Sequence, residues 1–124
     1  MIFIATNEDG FYTWDLAIRG IKTVTRRMKP MQIGKEFAIC PGRGKHAICR
    51  AVVTDCTLSR VHYHARETDL VDYKHLEAKM EGFKTWDGLM HWMHKHKINF
   101  EDTFRIEFKL IATENNNLKG KNQL

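Results

Sequence analysis

No apolar run in this chain approaches the roughly 20 residues that a helix needs to cross a bilayer. The opening Met-Ile-Phe-Ile-Ala-Thr has no basic flank and soon meets Asn7, Glu8 and Asp9, which does not fit a secretory signal. Both absences lead us to expect a cytoplasmic protein with no membrane contact. Cysteine is scarce as well. Cys40, Cys49 and Cys56 are odd in number and show no C-x-x-C spacing, which argues against a disulfide framework and a zinc ribbon. The apolar neighbours of Cys40 (Ala38, Ile39) and Cys49 (Ala47, Ile48) mark those two as small core residues, and Cys56 as a free thiol. No internal repeat is present, and 124 residues are too few for two ordinary domains.

Against these absences stands enough apolar material for one core. Hydrophobic residues make up 43% of the chain and aromatics 10%. A chain of this length buries roughly 65% of the surface that it exposes when unfolded. Lys and Arg exceed Asp and Glu by 20 to 15, a formal charge of +5 that speaks to partners rather than to fold. The cations fall in two clusters, Arg26, Arg27 and Lys29, and Arg43 with Lys45.

Residues 2–5 read as a short buried strand, and 7–10 as a loop. Phe11, Trp14, Ala17, Ile18 and Ile21 recur at helical spacing, which predicts a helix over 11–19 ended by Gly20. Residues 22–27, rich in β-branched side chains, open the next strand. Strands are expected over 36–40 and 45–56, joined by a turn through Gly42 and Gly44 with Arg43 at its basic tip. The polar stretch 60–66 carries no clear signal. Helices are expected over 70–80 and from Trp86 to Met93, the second capped by Thr85. Phe104, Ile106, Phe108 and Leu110 alternate with Arg105, Glu107 and Lys109, which predicts a strand with one face buried and the other wet. The polar segment 113–124 reads as a disordered tail. This order predicts an α+β fold with a mostly antiparallel sheet or barrel.

Residues 20–27 hold the pattern G-x-K-x-x-T-x-R, directly after the helix stop. Glu81-Gly82-Phe83 precedes a helix, and Phe-Arg-Ile-Glu-Phe marks the last strand. With these three elements in order, the chain resembles the ASCH domain family over nearly its whole body. The resemblance implies a PUA-like, mostly antiparallel β-barrel with flanking helices over residues 1–112, with RNA or a nucleoside as ligand and no cofactor. At the turn where the family commonly shows Gly-Asp, this chain has Gly34-Lys35.

Three readings compete for Lys22, Thr25 and Glu81. In the plainest, Lys22 and Glu81 form a surface ion pair worth about 0–1 kcal/mol, and Thr25 is a β-former. In the second, Lys22, Arg26, Arg27, Lys29, Arg43 and Lys45 meet RNA phosphates while Thr25 and Glu81 hydrogen-bond a base edge. An exposed Tyr12, Trp14 or Trp92 would stack on a base. The third follows from the resemblance, because some small ASCH proteins are amidohydrolases that deacetylate N4-acetylcytidine. Lys22 and Thr25 then match the motif lysine and threonine, and Glu81 the later acid. Thr25 would be the nucleophile, Lys22 its base once its pKa is lowered, and Glu81, beside Phe83, the acid for the leaving amine. His62, His64, His91, His94 and His96 alternate with lysines and lack Asp or Cys at ligand spacing, so no metal is expected.

Overall fold

The strand predicted by the alternation at 104–110 becomes the spine of the sheet. The computed structural model describes residues 1, 3, 5–42, 44–66 and 70–113, with backbone alone at 112 and 113. β4 (Phe104–Thr113) pairs with β1 (Val24–Arg27) on one side and with β3 (Cys49–Leu58) on the other, and β3 continues to β2 (Glu36–Ile39). All three pairings are antiparallel. The β3–β4 register skips Ile111 beside Arg50 and Thr54 beside Val53. Such bulges bend and twist a strand pair. The outcome is a curled half-barrel of four strands on an α+β plan.

Four helices among the described residues cover this sheet: α1 (Thr13–Ile18), α2 (Ser59–His64), α3 (Leu70–Glu81) and α4 (Trp86–Lys95). A 3-10 turn, Phe100–Asp102, leads into β4. Phe3, Phe37, Ile39, Val53, Ile106 and Phe108 form the main core with Ala17 of α1. A second cluster, Ala78, Phe83, Leu89 and Met93, holds α3 against α4. Each of the larger side chains contributes about 1.5–3 kcal/mol by leaving water. As expected, Thr85 caps α4: its hydroxyl accepts from the Gly88 N–H at 3.0 Å.

Four expectations need correction. Helix α1 begins at Thr13 rather than 11, because Tyr12 stays extended to bridge Thr6 and Thr13 N–H donates to the Ala5 carbonyl at 2.8 Å. Strand β3 begins at Cys49 rather than 45 and runs on to Leu58. The signal-free stretch after it forms α2, whose Tyr63 packs among Tyr73, Trp86 and Phe100. The outer face of β4 is not wet at Arg105, which is only 4% exposed beneath α3. The expected strand at 2–5 lies partly outside the described residues (at 2 and 4), and so do Arg43 and the tail from 114 onward.

Candidate functional site

Two helix stops of the same kind bring the motif residues together. After α1, Gly20 takes φ 77°, its N–H donates to Ala17 O, and Ile21 N–H reaches back to Leu16 O. After α3, Gly82 takes φ 97°, its N–H donates to Lys79 O, and Phe83 N–H reaches Ala78 O. This paired bonding is the Schellman stop, which needs the left-handed conformation that glycine adopts without strain. The two stops leave the end of α3 facing the entrance to β1. Thr23 N–H donates to the Met80 carbonyl at 2.8 Å, and the Lys22 ammonium donates to the Glu81 carbonyl at 3.0 Å. A cation at this place also complements the helix dipole.

Lys22 is 3% exposed. Its Nζ donates to Val24 O at 2.6 Å and Glu81 O at 3.0 Å, and reaches Glu81 Oε2 at 3.5 Å. Burial pushes its pKa down to about 8, with Arg27 and Arg26 adding to the fall and Glu81 opposing it. Glu81 also meets Arg26 Nη1 at 3.4 Å. Its carboxylate therefore lies between two cations. Lys22, Thr25, Arg26, Arg27 and Glu81 line one cavity of about 100 Å³, closed on its apolar side by Phe3, Phe83 and Trp92. Thr25 is buried, and among the described residues its hydroxyl makes no hydrogen bond. The three motif residues thus share a single recess, and their pairing is no surface ion pair.

Beside this recess lies an ion cluster that the sequence did not announce. Arg26 and Arg105 are directly opposite each other across β1 and β4, an arrangement of like charges that is unfavourable alone. Glu77 of α3 bridges them: Oε1 accepts from Arg26 Nη2 at 2.7 Å and from Arg105 Nε, and Oε2 accepts from Arg105 Nη2 at 3.0 Å. Burial alone would raise the Glu77 pKa, but the two guanidiniums hold it below the usual carboxylate range. Tyr73 completes the cluster, its hydroxyl 2.9 Å from His62 Nδ1. Burial, with Glu77 nearby, pushes the Tyr73 phenol up to about 12. The one available signal for this cluster was Glu77, on the predicted helix, standing four residues before Glu81.

The cations expected to meet phosphates fall into different settings. Lys22 and Arg26 are buried and committed to Glu81 and Glu77. Arg27 is half-buried, its guanidinium 5.3 Å from the centre of the Phe3 ring. Lys29 and Lys45 are exposed, and Arg43 lies outside the described residues. Trp92 joins the cavity wall, with His96 stacked on it at 4.4 Å. Trp14 packs against the core, and Tyr12 stacks on it at 6.2 Å. Cys40, Cys49 and Cys56 are free thiols; Cys49 is buried, and Cys56 packs against the core. Among the described residues no group of three His, Cys, Asp or Glu side chains is placed to hold a metal ion, and no helix is long and apolar enough to cross a membrane.

The fold has a counterpart of known structure. Protein EF3133 from Enterococcus faecalis V583, described by the family model DUF984, superposes with a TM-score of 0.55 over 97% of this chain and 80% of its own. At 14% identity the likeness is one of fold. No family model matches this sequence, and no curated protein matches it.

Proposed function

We propose that the chain is a PUA-like ASCH domain whose cavity takes a nucleoside, free or within RNA. The observation that carries this reading is the recess itself. A buried lysine, a threonine with an unengaged hydroxyl and a charge-paired glutamate meet there beside Trp92 and Phe83. Apolar walls suit the faces of a base, and the few polar groups suit its edge. Binding of cytidine or N4-acetylcytidine, followed by calorimetry or by shifts of the Trp92 indole resonance, tests it. Saturable binding that is weakened by Thr25→Ala is expected. No binding of any nucleoside or RNA would overturn it.

The lowered pKa of Lys22 favours a specific chemistry at the same place, hydrolysis of an N4-acylated cytidine. At a pKa of about 8, roughly a tenth of the lysine is neutral at pH 7. The neutral amine keeps its two shorter hydrogen bonds and gives up the 3.5 Å contact to Glu81. Thr25 Oγ1 then attacks the acyl carbonyl and passes its proton to Lys22 Nζ. The amide C–N bond breaks as that proton goes to N4 of the departing cytidine, leaving an acyl ester on Thr25 that water hydrolyses to acetate. Once Lys22 has taken the proton, its ammonium again faces the Glu81 carboxylate. Cytidine released from N4-acetylcytidine, and lost in Lys22→Ala and Thr25→Ala, is the expected result. The rate should climb with pH and level off above about 8. Tight binding without turnover at any pH would remove the hydrolytic reading and leave the binding one.

A further inference from the structure

Beyond the cavity, two grooves follow the chain from α4 to the 3-10 turn. The nearer shares Met93 and Ile98 with the cavity and is lined by His94, Lys95 and Lys97. The farther shares Asn99 and Phe100 with the nearer and is lined by Arg60, Lys74, Tyr63 and Trp86. At about 690 and 330 Å³ they lie within the size range of ligand clefts. Across both, four full cations (Arg60, Lys74, Lys95 and Lys97) stand against one carboxylate, Glu101. In the cavity, by contrast, Lys22 and Arg26 are paired with Glu81 and Glu77.

The farther groove has an aromatic floor. Trp86 meets Phe100 edge-on at 5.4 Å and Tyr63 at 6.3 Å, and all three rings are half-buried. The Lys74 ammonium lies 5.8 Å over the Trp86 ring, and the Arg26 guanidinium 4.9 Å over Phe100. Phe100 therefore joins the ion cluster behind the cavity to the floor of the groove. Rings under a line of cations are what an unpaired strand needs: π-faces for its bases and charge for its phosphates.

A backbone detail points to the same face. Helix α4 ends in a third Schellman stop, with Lys97 N–H donating to His94 O and Ile98 N–H to Met93 O. The two other stops use Gly20 and Gly82; this one uses Lys97 at φ 58°, the sole non-glycine with positive φ among the described residues. A lysine is a strained choice there, and strain of this kind is a pointer to function. The side chain it supplies is exposed on the nearer groove.

We infer that these two grooves are a track for single-stranded RNA leading to the cavity, so that the nucleoside is taken as part of a strand rather than free. The inference rests on the nucleoside reading above and adds the class of substrate. The test compares N4-acetylcytidine alone with a short single-stranded RNA carrying it, by calorimetry and fluorescence anisotropy. The strand should bind at least about tenfold more tightly, and its log affinity should fall against log salt with a slope near −3, for four phosphate contacts. The double variant Lys95→Gln, Lys97→Gly should bind the strand several-fold more weakly with a slope near −1.5, while binding the nucleoside unchanged. Its melting temperature should stay level or rise, because glycine relieves the strained stop, so lost affinity would not reflect lost folding. Glu101→Gln, which removes the lone acid, should tighten the strand. Equal affinity for strand and nucleoside, or variants without effect, would overturn the track and leave the nucleoside reading intact. Displacement of the strand by polyglutamate, or equal binding of a duplex, would overturn it in favour of a merely charged face. Strand binding with these dependencies but no response to Thr25→Ala would sink the nucleoside reading and keep the track.

Discussion

Glu77 and Glu81 lie one turn apart on α3, are both buried, and both meet Arg26, yet their surroundings differ in kind. Glu77 is held on both oxygens by Arg105, again by Arg26, and is approached by Tyr73 at 3.4 Å. Every polar group in that cluster finds a partner, and the cluster ties α3 to β1 and β4. The Glu81 carboxylate makes only long contacts, 3.5 Å to Lys22 and 3.4 Å to Arg26, and the Thr25 hydroxyl, of a residue lining the same cavity, is unengaged among the described residues. A saturated cluster stabilises the fold; a loosely paired one at a cavity wall keeps capacity for a ligand. The difference separates scaffold from site within a single helix.

The comparison is broken most directly at Glu77. Glu77→Gln removes the carboxylate that the two facing arginines share, leaving Arg26 its 3.4 Å contact to Glu81 and Arg105 its 3.1 Å contact to the half-exposed Glu107, and should cost about 3–5 kcal/mol in urea unfolding. Glu81→Gln should cost far less, and an equal loss would erase the distinction. In the wild type, the stabilisation from Glu77 is present above the ordinary carboxylate pKa of 4.5 and is lost as pH falls through its lower folded value.

Lys22 should make stability rise with pH as well, in a window several units higher. Below pH 8 it is charged in folded and unfolded chains alike, and its burial costs about 3 kcal/mol. The folded chain releases the proton near 8 and the unfolded chain near 10.5, so this group makes stability rise across that window. Unfolding measured at pH 7 and pH 10 should show the rise in the wild type relative to Lys22→Met. Parallel curves for the two proteins would mean that the ammonium is not desolvated.

Smaller effects separate the two glycine stops. A Cβ at Gly82 would lie 3.2 Å from Leu16 Cδ1, whereas at Gly20 it would meet nothing within 4 Å. Both alanines incur the cost of left-handed backbone, about 1–2 kcal/mol, and Gly82→Ala should add a packing penalty and shift the Glu81 end of the cavity. Thermal melts and nucleoside affinity should therefore both respond at 82, and melts alone at 20. Least of all on stability, Thr25→Ala should shift unfolding by under about 1 kcal/mol, because no hydrogen bond is lost. Its effect on nucleoside binding or cytidine release should be large by comparison. A Thr25→Ala protein that melts much earlier would return the residue to the scaffold.

Several elements of the site were legible from residue order alone. Glycine after a run of helical spacing foretold the stop at 20, because few other residues take positive φ cheaply, and Gly82 ends α3 by the same means although it was not read as a stop. Thr85 before Trp86 foretold its cap for the same kind of local reason. Alternation at 104–110 foretold β4 but mistook Arg105 for a solvent-facing side chain. Periodicity reports which face a residue occupies, and the outer face of β4 becomes interior once α3 lies across it. Helix α2 was invisible, since its aromatic and histidine side chains pack against distant Tyr73 and Phe100 rather than repeating along one face.

Local chemistry in the sequence determined where α1 stops and where the sheet's spine runs. The tertiary structure alone decided that Lys22 is buried and its pKa lowered, and that Arg26 and Arg105 share Glu77 while Thr25 keeps an unengaged hydroxyl. The physical reason is desolvation. Whether a charge rests in water or against α3 depends on the contact between β1 and a helix more than fifty residues away, and no window of neighbouring residues encodes that distance.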